Sequence, residues 1–244
     1  MIVFTPLRTR RLAVEFKELT IGDALYLLEI PAARAEAGTT ELLRRIIADA
    51  GKSPDIGQWT VQERAFAVSH YLAHVDPTGP NIEIGENVLS DYIVPEKDFP
   101  EEIPLGVVAG DQWRLVPLTG NAAEAIERLI ASGSIRGNRA GWWFGAMAAQ
   151  LWRPGEHPPE GDLDEAIAER VKVFSLYPDS DFMALMSAFL AGTDAQNHLL
   201  RLGFSDNGIV WMQEGPGLTP ARFPFRSCIS AAARTVFQAA TATA

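Results

Sequence analysis

The stretch Trp59–Val75, WTVQERAFAVSHYLAHV, is the most legible element of the chain. Thr60 and Glu63 have the Thr-x-x-Glu spacing of a capping box, in which each side chain satisfies a backbone N–H at a helix start. Val61, Ala65, Val68, Leu72 and Val75 then recur at helical spacing as one apolar stripe. Asp76-Pro77 closes the helix, because the residue before a proline is pushed away from helical dihedrals. The spacing therefore predicts a helix with Glu63, His70 and His74 on the face opposite the stripe. His70 and His74 are four residues apart and can reach one metal ion, but a zinc site needs a third protein ligand. His-Tyr-Leu-Ala-His also lacks the glutamate of the metalloprotease pattern. The expectation is two solvated histidines and no metal.

Working outward, the periodicities give an α+β chain dominated by helices. On the N-terminal side, Ile2–Phe4 and Leu12–Phe16 read as a short pair of strands, the second alternating Leu12, Val14 and Phe16 with polar or small neighbours. Ile21–Ile30 reads as a helix stopped by Pro31. Thr39–Ala50 reads as another, with Leu42, Leu43, Ile46, Ile47 and Ala50 on one side and Gly51 as its stop. Residues 76–118 are rich in proline and glycine, with β-prone pieces at Asn81–Ile84 and Asp91–Val94 and a hairpin of Leu105–Val108 with Gln112–Leu118 turning at Ala-Gly-Asp.

Helices resume at Asn121–Ala131, opened by Asn121 and Glu124, and at Asn138–Trp152, apolar nearly all round. Asp162–Phe174 opens with Asp162 and Glu165 and turns Leu163, Ile167, Val171 and Phe174 inward. Ser180–Leu190, SDFMALMSAFL, has almost no polar face and is expected at the centre of a helical cluster. Phe204–Met212 reads as a hairpin around Asp206-Asn207-Gly208, Pro216–Pro224 as a loop and Ser227–Ala239 as a closing helix. The pattern divides into a strand/helix lobe over 1–75, a β-rich insert over 76–118 and a helical lobe over 119–244, or one domain in all.

Composition narrows the function classes. With 47% hydrophobic and 21% charged residues, the 244-residue chain can bury a sizeable core. A net charge of −10 argues against neutralising nucleic-acid phosphates and against docking on anionic lipid. Arg8, Arg10 and Arg11 form the only notable basic cluster, read as ordinary surface. The single cysteine, Cys228, excludes an internal disulfide framework and reads as a buried, inert thiol of a reducing compartment. MIVFTPLRTRR places its charges after its apolar residues, the reverse of a secretory signal. Ala140–Trp152 is too short to span a bilayer.

No motif for catalysis or cofactor binding stands out. Gly51-Lys52-Ser53 matches the end of a phosphate loop, but the glycine required five residues before Gly51 is Ile46. Gly133, Gly137 and Gly141 recur without a preceding strand and read as a loop plus close helix packing. No Gly-x-Ser-x-Gly elbow occurs. Asp162, Glu165 and Glu124 are accounted for as helix-start carboxylates. His157 falls in a proline-rich loop, and His198 at a helix end where positive charge suits the dipole. The aromatic residues are more informative. Trp142 and Trp143, adjacent on one helix, require either enclosure on both sides or a partner for one ring. The same alternative attends Phe223, Phe225 and Arg226, in Arg-Phe-Pro-Phe-Arg. These five are the candidate partner contacts, since Trp is enriched at interface hot spots.

Several segments, in order, resemble tail-region gene products of tailed bacteriophages. They are Glu18-Leu19-Thr20-Ile21-Gly22-Asp23-Ala24 after an N-terminal strand, Trp59-Thr60-Val61-Gln62-Glu63-Arg64, Pro117-Leu118-Thr119-Gly120 before a helix, and the Phe204-Ser205-Asp206-Asn207-Gly208 turn. The resemblance brings no catalytic residue and no cofactor. It implies a non-enzymatic structural protein of the virion tail, assembled in the bacterial cytoplasm and contacting other tail or baseplate proteins. A chaperone for the tape-measure protein, absent from the mature particle, is the alternative it allows. The helical content points to a peripheral tail-tip or baseplate component rather than a tube ring. A small cytoplasmic enzyme with a site assembled from scattered residues is the third reading.

Overall fold

The Thr60–Glu63 capping box forms as its spacing requires: Glu63 N donates to Thr60 Oγ1 at 3.1 Å and Thr60 N to Glu63 Oε2 at 2.9 Å. Around it, a computed structural model describes residues 2–84, 87–97, 102–158, 162–213, 219–223 and 225–241. The strands are β1 (Leu7–Arg8), β2 (Ala13–Phe16), β3 (Ile47–Asp49), β4 (Glu83–Ile84), β5 (Asn87–Val88), β6 (Ile103–Val108), β7 (Asp111–Leu115), β8 (Leu151–Trp152), β9 (Arg201–Ser205) and β10 (Gly208–Met212). The helices are α1 (Ile21–Glu29), α2 (Ala35–Ile46), α3 (Val61–Val75), α4 (Gly120–Ala131), α5 (Arg139–Gln150), α6 (Leu163–Ser175), α7 (Asp179–Ala195) and α8 (Ala231–Thr241). The fold is α+β and helix-dominated, with antiparallel sheets ordered β1-β2-β3, β4-β5, β6-β7-β8 and β9-β10. Among the described residues, no helix is long and apolar enough to cross a membrane.

Two hydrophobic cores lie on either side of α3. One gathers Leu12, Val14, Leu27, Leu42, Ile46 and Trp59 from the N-terminal half, together with Phe225, Ile229 and Ala233 from the end of the chain. The other gathers Trp113, Leu115, Ile126, Trp142, Met147 and Phe189. Val61 and Ala65 face the second core, and Ala67, Val68, Tyr71 and Leu72 the first. The starts of α3 and α4 are tied by Val61 N donating to Leu118 O and Gly120 N donating to Trp59 O, each at 2.9 Å.

Several expectations are corrected. No strand forms at Ile2–Phe4; the segment is held instead by Phe4, stacked on Tyr71 at 5.0 Å, and by histidines described below. The helix expected at Thr39–Ala50 begins at Ala35 and ends at Ile46, because Ile47–Asp49 pairs with β2 as a strand. In the same way Leu151 and Trp152 leave α5 to pair with β7. Asp91 and Tyr92 lie in a 3-10 turn over Leu89–Tyr92 rather than a strand. Thr119, not Asn121, caps α4. Cys228 closes a 3-10 turn over Phe225–Cys228, and the last helix begins only at Ala231. Of the loop expected at Pro216–Pro224, residues 216–218 and 224 lie outside the described residues.

Both hairpins turn where expected. Ala109 and Gly110 take positive φ of 52° and 83° between β6 and β7, the paired left-handed residues of a type I′ turn. Asp206 and Asn207 link β9 to β10.

Phe225 is seated against α2 so closely that a Cβ on Gly38 would stand 2.2 Å from its ring. Gly38→Ala is therefore expected to destabilise the fold by about 1–3 kcal/mol through overpacking. Urea unfolding measures this, and an unchanged midpoint would show that the ring does not rest on Gly38.

Candidate functional site

The chain presents two features with functional content: a buried charged cluster between the cores, and an apolar helix face open to solvent. The cluster begins with α2, whose N-cap Arg34 gives no side-chain cap. Glu127, on α4, supplies it instead, accepting from Glu36 N at 2.8 Å and Ala37 N at 3.2 Å. Helix starts leave such N–H groups unpaired, and a carboxylate there also meets the positive end of the dipole. Arg64, only 1% exposed, donates through Nη2 to Glu36 O at 2.8 Å and to Thr40 Oγ1 at 2.6 Å. Thr40 Oγ1 in turn donates to Glu124 Oε1. Glu124 thus serves a tertiary network from inside α4 rather than the helix start expected of it.

Burial dominates the electrostatics of this cluster. It pushes Glu127 up to about 7 against the opposing effect of the two backbone donors, with Glu36 and Glu124 adding repulsion. It raises Glu36 as well, while the Arg64 and Arg222 guanidiniums pull the other way. A cavity of about 30 Å³, the size of a single water, is lined by Glu36, Arg64, Trp211, Arg222 and Phe223. Beside it a groove of about 410 Å³ is bordered by Glu127, Trp142, Asp206 and Arg222. Convergent acids with shifted titration beside a groove resemble an enzyme site. Yet both Glu127 oxygens are spent on the backbone of α2, which gives the cluster a structural duty.

The second feature is α7. Its inward face buries Leu185, Phe189, Gly192 and Thr193. Phe182 stacks on Phe144 with centroids 4.9 Å apart, and Phe189 meets Trp143 edge-on at 5.9 Å. Gly192 lets the helix settle on the β6–β7 hairpin: a Cβ there would stand 2.8 Å from Leu115 and 2.9 Å from Leu105. The opposite face, Met183, Ala184, Ser187, Leu190 and Ala191, is exposed, with Met183 at 53% and Leu190 at 43%. At the α6–α7 corner Leu176 is 84% exposed. The expectation that SDFMALMSAFL lies at the centre of a helical cluster is therefore corrected: one face is buried and the other is solvent-facing. The residue sizes carried the signal, since the large rings of Phe182 and Phe189 point in while alanine and serine dominate outside.

The five residues singled out as partner contacts all make contacts within the chain. Trp142 is buried and stacks on Phe204 at 6.5 Å; Trp143, half-buried, meets Phe204 edge-on at 4.9 Å. Phe223 lies between Tyr92, edge-on at 5.7 Å, and Trp211, stacked at 6.4 Å. Phe225 is buried on Gly38, and Arg226 Nη2 donates to Leu28 O at 3.0 Å and to Ile30 O, closing the end of α1.

The histidines are likewise reassigned. His70 and His74 are half-buried and, besides meeting solvent, hold the N-terminal segment. His70 Nε2 meets Thr5 O at 2.7 Å, Thr5 N donates to His74 Nε2 at 3.1 Å, and His74 Nδ1 meets His70 O at 2.8 Å. Among the described residues, no group of three or more His, Cys, Asp or Glu is gathered as metal ligands would be. Glu63 is buried, not on an open face. His198 is buried too, and desolvation lowers its pKa, so the expected positive charge at a helix end is disfavoured. Burial pushes the Cys228 thiol up to about 12, which keeps it unreactive. Arg8 pairs with Glu15 at 3.9 Å and Arg11 with Glu63 at 3.3 Å. Compared with known proteins, the chain matches no protein-family model, no curated protein and no solved structure.

A glutamate with a raised folded pKa gives stability that is fully present below its unfolded value and is lost as pH rises through the folded one. For Glu127 that window runs from 4.5 to about 7. His70 and His198, both lowered by burial, act in the opposite sense as pH falls below 6.5. Their effects cancel when wild type is compared with Glu127→Gln. The wild type is expected to gain up to about 2–3 kcal/mol relative to the variant between pH 7.5 and 4.5. Parallel pH–stability curves would show that Glu127 titrates normally.

Proposed function

We propose that this chain is a non-enzymatic assembly protein that works by covering the outward face of α7 with a partner. Following its resemblance to tail-region gene products of tailed phages, we assign it to the virion tail, at the tail tip or baseplate. The observation that carries the reading is that α7 is apolar on both faces while the fold buries only one. Soluble chains scatter single apolar residues on their surfaces; an apolar stripe at helical spacing marks an interaction site. The charge of −10 fits protein partners rather than nucleic acid or anionic lipid.

A tape-measure chaperone is the second reading, favoured by the same open face, which in a free chain suits transient hold on a helical client. The carboxylate cluster offers an enzyme less, since Glu127 caps α2 and Glu124 accepts from Thr40.

The wild-type chain is expected in purified particles at fixed copy number by mass spectrometry. Met183→Gln/Leu190→Gln is expected to be lost from them while retaining a melting temperature within about 2–4 °C of wild type, as exposed substitutions do. Wild-type protein confined to the lysate with a bound tape-measure protein would instead establish the chaperone. Incorporation of the double variant at the wild-type level would overturn the role of α7.

A further inference from the structure

We propose that the outward face of α7 receives a partner helix with an apolar stripe flanked at both ends by lysine or arginine; this rests on the assembly reading above. The outward residues Met183, Ala184, Ser187, Leu190 and Ala191 follow one another at helical spacing over about 12 Å of axis. Three of the five are small, so a second helix can approach along Ala184, Ser187 and Ala191 with Met183 and Leu190 lining one edge of its track, as ridges enter grooves. Ser187 Oγ donates back to Met183 O at 2.9 Å, so the stripe asks no hydrogen bond of its partner. An extended strand would gain little there, since a helix offers it no free backbone ladder.

Charge selects among helical occupants. From Asp179 to Ala195 the helix carries Asp179, Asp181 and Asp194 and no lysine or arginine. Its N-terminal end is doubly acidic. At the other end Asp194 pairs with Arg201 at 2.8 Å yet keeps a side chain 65% exposed. A second copy packed antiparallel would set Asp179 and Asp181 against Asp194, and a parallel one would set each acid against itself. The parallel arrangement repels directly; the antiparallel one sets the N-terminal acids against an Asp194 already paired with Arg201 and gains no free cation, and the net charge of −10 opposes both. An anionic membrane is repelled on the same ground. The favourable occupant is a helix whose basic residues lie about 20 Å apart, matching the rise from Asp181 to Asp194.

The test uses the full chain and a fluorescent 20-residue helical peptide with an Ala/Leu stripe and lysines at both ends. Two controls are the same stripe with glutamates and a scrambled stripe of equal composition. By fluorescence anisotropy, the lysine peptide is expected to bind at least about tenfold more tightly than either control. Met183→Gln/Leu190→Gln is expected to abolish the selectivity for the stripe, and Asp179→Asn/Asp181→Asn to weaken binding severalfold and flatten its salt dependence. The second pair lies at the helix start, Asp179 exposed and Asp181 half-buried, so it remains informative if the first lowers stability. Equal binding of all three peptides, or none, overturns the proposal. So does sedimentation showing a dimer that Leu190→Gln dissociates, which would make a second copy the occupant. Loss of particle incorporation in Met183→Gln/Leu190→Gln without selective peptide binding would reject this partner and leave the assembly reading standing; normal incorporation would reject the assembly reading itself.

Discussion

Two backbone hydrogen bonds, between Val61 and Leu118 and between Gly120 and Trp59, set the starts of α3 and α4 side by side. Much of the remaining architecture follows from that pairing. It brings the Arg64 side chain flat against Gly120, where a Cβ would stand 2.1 Å from Nη1. The guanidinium is thereby sealed from solvent and must find its partners inside. It finds them on α2, in Glu36 O and Thr40 Oγ1, and through Thr40 it reaches Glu124 on α4. A buried charge is costly unless its hydrogen bonds are met. Nη2 meets that demand, while Nε and Nη1 have no hydrogen-bond partner among the described residues, so the Nη2 bonds and the Thr40–Glu124 bond are what tie α2, α3 and α4 together along the seam between the two cores.

Much of the self-contained local chemistry was legible in the sequence, although the equally local Thr119 cap of α4 was misread as Asn121. The capping box of α3, the Asp162 cap of α6, the Ala109-Gly110 turn and the Asp206-Asn207 turn all depend on neighbours in sequence, and all were readable. Most of what escaped reading depends on residues far apart. The start of α2 could not be placed because its cap, Glu127, is 91 residues from Glu36. Ile47–Asp49 and Leu151–Trp152 continue helical patterns and become strands only because β2 and β7 await them. The histidine pair was read as exposed because its partner is the backbone of Thr5, 65 residues before His70.

The candidate face on α7 was missed for a different reason. Hydrophobic periodicity reports that a face is apolar, not what covers it. For SDFMALMSAFL both faces were apolar, and burial of both was the simplest way to satisfy the pattern. Among the described residues the fold supplies the β6–β7 hairpin, β9 and the aromatic residues of α5 as neighbours, which is enough for one side. The distribution of side-chain size distinguishes the two faces: the inward side fills volume with phenylalanine and leucine, and the outward side keeps a low profile. A well-packed interior needs the first; a second helix laid alongside is best served by the other.

The N-terminal core contains Phe225, Ile229 and Ala233 from the far end of the chain, and Arg226 closes the carbonyl end of α1. During synthesis the first 75 residues therefore leave the ribosome before the pieces that complete their own interior have been made. With translation at roughly 5–20 residues per second, that core waits on the order of ten seconds or more, part-open, for its last wall. Throughout that interval the apolar groups due to meet Phe225 and Ile229 are exposed to other nascent chains. A chain whose synthesis stops before residue 225 therefore lacks Phe225, Ile229 and Ala233, one wall of its N-terminal core.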